Sequence, residues 1–126
     1  MAHGAQGRIA RQFEALRARG ERALVPFLTA GDPDLETTEE LVLAMVDAGA
    51  DLIELGVPFS DPTADGPTIQ RSSSRALARG TSLRSVLRLV DRLRARVEAS
   101  LILFGYANPV HAMGAAAFAK TAADVG

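Results

Sequence analysis

The 126-residue chain has no cysteine, a single lysine (Lys120) and two histidines, His3 and His111. Each scarcity removes a class of chemistry. Without cysteine there is no disulfide staple, thiolate nucleophile or thiolate metal site, a usage that suits a cytoplasmic protein. Two isolated histidines, one in the N-terminal tail and one far from the acidic segments, do not assemble a metal cluster, so both read as incidental and no metal is expected. Long apolar runs are also missing. Residues 99–106 form one of the longest, well short of the roughly 20 that cross a bilayer, and no apolar stretch follows the first basic residues, which argues against a membrane or secreted protein. A net charge of −1 advertises neither a nucleic-acid nor a membrane partner.

Basic residues are absent from positions 23–70, a span that holds ten acids, whereas positions 71–96 carry eight arginines against Asp91 alone. Arg84, Arg88, Arg92 and Arg96 recur every four residues and therefore line one face of a helix, which reads as a solvated face and not as a nucleic-acid patch.

The remaining pattern alternates strand and helix. Residues 8–19 place Ile9, Phe13 and Leu16 at helical spacing before Gly20, a helix stop. Residues 23–29 (ALVPFLT) form an apolar run closed by Gly31, Asp32 and Pro33, which predicts a buried strand. Thr37 or Thr38 is expected to cap a helix reaching Ala48, with Leu41, Met45 and Ala48 inward and Gly49 beyond its end. Leu52 to Leu55 is a second strand, and 56–67, with three prolines and two glycines, is a long loop of the functional kind. A helix over 69–79 stops at Gly80. Thr81 or Ser82 caps the strongest helix, whose stripe is Leu83, Val86, Leu87, Val90, Leu93 and Val97. A third strand over 101–106, a turn at Asn108-Pro109 and a helix over 115–124 complete the chain.

This order builds parallel sheets through crossovers, with strands buried on both faces. An open nucleotide-binding sheet would show a glycine-rich turn after its first strand, but AGDPD follows Thr29, with one glycine and two acids that repel phosphate. In a closed (β/α)8 barrel the working groups sit at strand C-terminal ends, where Thr29, Glu54, Asp61, Asp65, Tyr106 and Asn108 fall. The α/β class expected is therefore the TIM (β/α)8 barrel. Three units are fewer than eight, and Ala123-Asp124-Val125-Gly126 repeats the helix-to-strand join seen at Asp47-Ala48-Gly49, so residues 1–126 read as the N-terminal part of one barrel domain: an extra helix over 8–19 and the first three β/α units.

Exclusion narrows the chemistry. Schiff-base catalysis needs a lysine at a strand end, and Lys120 falls on the last helix. Ser60 has no histidine near it, and Ser72, Ser73 and Ser74 open a helix, so a serine hydrolase is unsupported. A carboxylate pair remains, Glu54 and Asp65, suited to general acid–base work if one of them is unusually placed. Glu54 lies between Ile53 and Leu55 in an apolar strand, on the face of Leu52, with no basic residue nearby in sequence. Two readings stand: a functional carboxylate, or a buried pair with an arginine from the helix after Ser74. Asp65 before Gly66 equally fits turn chemistry, as do Asp32 and Asp61 before prolines, whose peptide bonds either isomer would suit.

Residues 52–70, LIELGVPFSDPTADGPTIQ, closely resemble the signature of the tryptophan synthase alpha chain family. PFLTAGDP (26–33), SSRALARG (73–80) and YANPV (106–110) resemble it in the same order. The resemblance implies a (β/α)8 barrel with an extra N-terminal helix and a cytoplasmic lyase of tryptophan biosynthesis. That enzyme cleaves indole-3-glycerol phosphate by retro-aldol chemistry to indole and glyceraldehyde 3-phosphate, without cofactor or metal. By the same resemblance Glu54 is the acid–base group and Asp65 the anion facing the indole nitrogen. Phe27, Phe104 and Tyr106 line the indole pocket, and Thr29 supports the active-site loop. Residues 58–65 resemble the surface that meets a pyridoxal phosphate-dependent beta subunit in an alpha2-beta2 tetramer. Thr63 and Phe104-Gly105 depart from the commoner aliphatic choices. The family's phosphate-binding residues come from later strands, so the 126-residue chain alone is expected to be inactive. The alternative is a non-catalytic half-barrel acting as an assembly or binding module.

Overall fold

The computed structural model describes residues 7–126, and His3 lies outside them. Among the described residues the order is α1 (Arg8–Ala18), β1 (Phe27–Thr29), α2 (Leu35–Asp47), β2 (Leu52–Gly56), α3 (Pro67–Ala78), α4 (Leu83–Arg94), β3 (Ser100–Phe104), α5 (Ala107–Met113) and α6 (Ala115–Val125). The strands form one parallel sheet in the order β1-β2-β3. Phe27, Glu54 and Ile102 share one register row, and Thr29, Gly56 and Phe104 share the row at the C-terminal ends.

Strand side chains alternate between faces. Leu28, Ile53, Leu55, Leu101 and Leu103 therefore meet the helices, where Ile53 and Leu55 are buried with Val42 of α2 and with Leu89, Val90 and Leu93 of α4. Each fully buried Leu or Val of this layer contributes about 1.5–3 kcal/mol. Phe27, Thr29, Leu52, Glu54, Gly56, Ile102 and Phe104 belong to the opposite face. One end of that face receives α1: Gln12 donates to the Asp51 carbonyl and accepts from the Ser100 amide and hydroxyl at 3.1 and 2.9 Å. Of the apolar positions expected to seat α1, Leu16 is buried, whereas Ile9 and Phe13 are exposed. The dock is thus partly polar.

Several boundaries differ from the pattern-based expectation, each for a local reason. The first strand starts at Phe27 and not at residue 23. The Leu24 and Pro26 carbonyls already accept from the Asp51 and Glu54 amides, but Pro26 has no N–H to return. Asp34, not Thr37 or Thr38, caps α2, accepting from the Thr37 amide at 2.7 Å. Thr38 instead turns inward, donating to the Asp34 carbonyl and accepting from the Gly31 amide. The inner stripe of α2 is consequently Thr38, Val42 and Met45, while Leu41 and Ala48 are exposed. α3 starts two residues earlier than expected, with Pro67 in its first turn, where a missing N–H costs nothing. The third strand covers 100–104, not 101–106. Asn108-Pro109 is not a turn but lies in the first turn of α5, for the same reason as Pro67. Gly114, at φ +94°, separates α5 from α6.

α4 follows expectation. Ser82 and Ser85 form reciprocal side-chain to backbone bonds that satisfy its first amides. Its expected stripe is buried, with Leu89 added and with Val97 lying beyond the helix end. Arg84, Arg88, Arg92 and Arg96 are exposed. The acidic and basic halves of the sequence meet across this layer: Arg92 and Arg96 reach Glu39 of α2 at 2.9 and 3.2 Å, and Arg75 grips Asp32 with two 2.8 Å bonds.

These contacts give stability a pH dependence. The Arg75 guanidinium holds Asp32 below the usual carboxylate range, Arg92 does the same to Glu39, and the Thr37 amide does so to Asp34. Lowered values in the folded state mean that the unfolded chain binds more protons. The stabilisation is therefore complete above the ordinary carboxylate range near about pH 4 and is lost as pH falls through it. Urea unfolding should show a lower midpoint near pH 3 than near pH 6, and Arg75→Ala together with Arg92→Ala should shrink the difference. An unchanged difference would remove these pairs from the account.

Candidate active site

The C-terminal ends of the three strands and the loop over residues 57–66 bring the candidate residues together. Phe27, Thr29, Asp65, Phe104 and Tyr106 share a crevice of about 20 Å³ with Gly56, Val57, Ile69, Ser73 and Gly105. Room for about one water is far below the roughly 300 Å³ at which small-molecule sites begin. The crevice by itself is therefore too small to enclose a substrate-sized molecule. Its aromatic floor is the edge-on pair of Phe27 and Phe104, with ring centres 5.9 Å apart. Gly56 makes room for it: a Cβ there would stand 2.5 Å from the Phe27 ring. Phe104, at 52% exposed, presents the rest of its ring to the open side of the sheet.

Glu54 is not a wall of this crevice. It lies on the same sheet face one row below, beside Phe27 and Ile102. Its side chain is half-buried and makes no hydrogen bond or ion pair among the described residues. The buried-pair reading of Glu54 fails in particular, because the arginine best placed in sequence, Arg75, is committed to Asp32. A half-buried carboxylate with no cation beside it among the described residues fits the functional reading and not the ion-pair one.

Asp65 reaches the crevice through turn geometry and not through a strand. Its amide donates to the Pro62 carbonyl, its own carbonyl accepts from Gln70 Nε2 at 2.8 Å, and its Oδ2 accepts from the Tyr106 hydroxyl at 3.2 Å. The turn-residue reading and the functional reading are thus compatible, since the turn aims the carboxylate. Thr29, buried at the end of β1, exchanges a 2.7 Å hydrogen bond with Ser72 of α3, whose hydroxyl also lies 2.9 Å from the Ile69 carbonyl. Asp61 stays at the exposed loop tip, bonded to Ser60. Asp32-Pro33 is cis.

Other candidates are left out. His111 is exposed on α5, Lys120 pairs with Asp124 on α6, and no cluster of metal-binding side chains exists among the described residues. No helix among the described residues is long and apolar enough to cross a membrane. Sequence reasoning missed Ser72 and Gln70, which fix Thr29 and the loop. Ser72 lies 43 positions from Thr29, and no local pattern signals a partner so distant.

A family model described as tryptophan synthase alpha chain matches residues 13–126. A tryptophan synthase alpha chain of Citrifermentans bemidjiense is 60% identical over 119 residues, and one of Burkholderia mallei 59% identical over 120, each match covering 94% of this chain. Those matches cover 45% and 44% of the relatives, so the chain spans about half their length. Among solved structures, tryptophan synthase subunit alpha from Legionella pneumophila superposes with a TM-score of 0.95 at 44% identity, covering 97% of this chain and 47% of that one. A tryptophan synthase structure from Mycobacterium tuberculosis gives 0.90 at 36% identity, covering 97% and 49%. The sheet and helix order is therefore that of the TIM-barrel enzymes of this family, seen over their N-terminal part. Family model, relatives and superposition agree with one another over nearly the whole chain, and the chain belongs to the tryptophan synthase alpha chain family.

Proposed function

We propose that the natural protein is a lyase that cleaves indole-3-glycerol phosphate to indole and glyceraldehyde 3-phosphate, and that residues 1–126 supply its acid–base machinery. The observation that carries this reading is the Asp65 carboxylate, held by its turn beside a crevice walled by Phe27, Phe104 and Tyr106. A flat aromatic ring suits those walls, and a fixed anion beside its nitrogen stabilises the positive charge that develops there. Glu54 delivers a proton to ring C3 and assists removal of the proton from the hydroxyl on the carbon attached to the ring. The bond between them breaks, its electron pair returns to the ring and neutralises the nitrogen, and the side chain leaves as the aldehyde. Neither step calls on a cofactor or a metal.

In this reading residues 1–126 form the N-terminal part of a single barrel domain in the cytoplasm, and the phosphate of the substrate is gripped by later strands. The 126-residue chain alone then lacks productive substrate binding, because remote binding energy is what holds the reacting groups in place. The exposed loop tip at Ser60, Asp61 and Thr63 serves as the docking surface for a beta subunit in an alpha2-beta2 assembly, with pyridoxal phosphate confined to that partner. Indole release from indole-3-glycerol phosphate, followed for the natural full-length protein and for the 126-residue chain, tests the proposal. Turnover is expected only in the first. No release from either refutes the lyase assignment, and equal release refutes the need for later strands.

A further inference from the structure

Tyr106 does more than line the crevice. Its hydroxyl accepts a hydrogen bond from the Ala64 amide at 2.9 Å and donates to Asp65 Oδ2 at 3.2 Å. Its ring packs against Phe59, with centres 5.2 Å apart and planes inclined by 34°. One side chain at the start of α5 therefore touches the 57–66 loop near both of its ends. Other ties run from the Val57 amide to the Phe104 carbonyl, from the Thr63 amide to the Asp61 carbonyl, from the Asp65 amide to the Pro62 carbonyl, from the Ser60 hydroxyl to Asp61, and from Gln70 Nε2 to the Pro62 and Asp65 carbonyls. None of them touches the Asp65 carboxylate.

We propose that Tyr106 is the positioning residue for Asp65: by accepting from the Ala64 amide and donating to one carboxylate oxygen while its ring braces Phe59, it fixes the direction in which the other oxygen faces the substrate. The catalytic consequence rests on the lyase reading above. The geometry fits an orienting tether. At 3.2 Å the bond to Oδ2 is longer than the 2.5–2.7 Å of a strong hydroxyl-to-carboxylate bond, so Asp65 keeps its accepting capacity. Oδ1 has no partner among the described residues and is free for a ligand N–H. Because the hydroxyl also holds Ala64, loss of the phenol oxygen frees the backbone on the N-terminal side of the carboxylate as well as the carboxylate.

The test separates the hydroxyl from the ring. Tyr106→Phe retains the ring against Phe59 and removes both hydrogen bonds, whereas Tyr106→Leu removes both interactions. In the natural full-length protein, amide hydrogen exchange at Ala64 should speed up in Tyr106→Phe while amides of the buried β2 core stay protected. The kcat for indole release should fall about 10- to 100-fold, with KM changed by less than about threefold. Unchanged exchange at Ala64 in Tyr106→Phe overturns the proposal whatever the activity. Faster exchange with unchanged kcat overturns the positioning role. A fall in activity only in Tyr106→Leu assigns the effect to ring packing and overturns the role of the hydroxyl. A wild-type protein without lyase activity removes the lyase reading and the catalytic role together, and the exchange measurement still decides whether Tyr106 holds the loop.

Discussion

Glu54→Gln in the natural full-length protein should lower indole formation by about 10²–10⁴-fold, the usual contribution of a positioned acid–base group, and leave the unfolding midpoint almost unchanged. Gln keeps the shape of the side chain and removes only the ability to hold and release a proton. The small effect on folding follows from the surroundings, since among the described residues Glu54 has no cation or hydrogen-bond donor to strand when its charge is removed. Had Glu54 been one half of a buried ion pair, the same substitution would leave an unpaired guanidinium and cost about 3–5 kcal/mol. Parallel measurement of activity and urea midpoint therefore distinguishes a working carboxylate from a structural one. Retained activity would remove Glu54 from the reaction, and a large loss of stability would show that it has a structural partner.

Gly31→Ala should be the most destabilising single change at the turn after β1, by about 3–5 kcal/mol, read as a fall in the thermal or urea midpoint. Two independent effects add there. Gly31 has φ +89°, in the region where an L side chain is strained. Its added Cβ would also stand 2.0 Å from Thr81 Oγ1 and 2.8 Å from Thr81 Cβ. The Thr81 Cβ sits on its own backbone and cannot swing aside, so the turn or the segment before α4 must move. Movement there would disturb the Thr38 hydroxyl that receives the Gly31 amide and the Asp32–Arg75 pair next to it. Gly49→Ala is the comparison, since Gly49 has φ +102° but nothing within 4 Å of the added Cβ. Strain alone should then cost about 1–2 kcal/mol. Equal losses at the two glycines would show that contact with Thr81 contributes nothing.

The alternation of strand and helix was legible because it depends on local periodicity. The stripe of α4 and the apolar core of β2 read directly as buried, and the face shared by Leu52 and Glu54 follows from the two-residue repeat of a strand. The misplaced boundaries have a common origin. Asp34 rather than Thr37 or Thr38 caps α2, and Pro109 lies in a first turn rather than a bend, because each of these residue types suits two local structures and only the surrounding packing chooses. Thr38 was needed inside to receive the Gly31 amide, which left the capping role to Asp34.

The residue types at the site, two carboxylates amid aromatic positions with no thiol and a lysine remote from the strand ends, were set by sequence alone, as was their assignment to strand ends and loops. Whether those carboxylates were free to act was decided by tertiary structure. Arg75 lies only ten positions after Asp65 and could have paired with either candidate, yet the packing of α3 against β1 gives it to Asp32 and leaves Glu54 without a cation among the described residues. The Tyr106 hydroxyl meets Asp65 across 41 positions, and Thr29 meets Ser72 across 43. Periodicity reports which face a side chain occupies. Which side chain stands opposite is set by how whole elements close on one another, and that information lies in their packing.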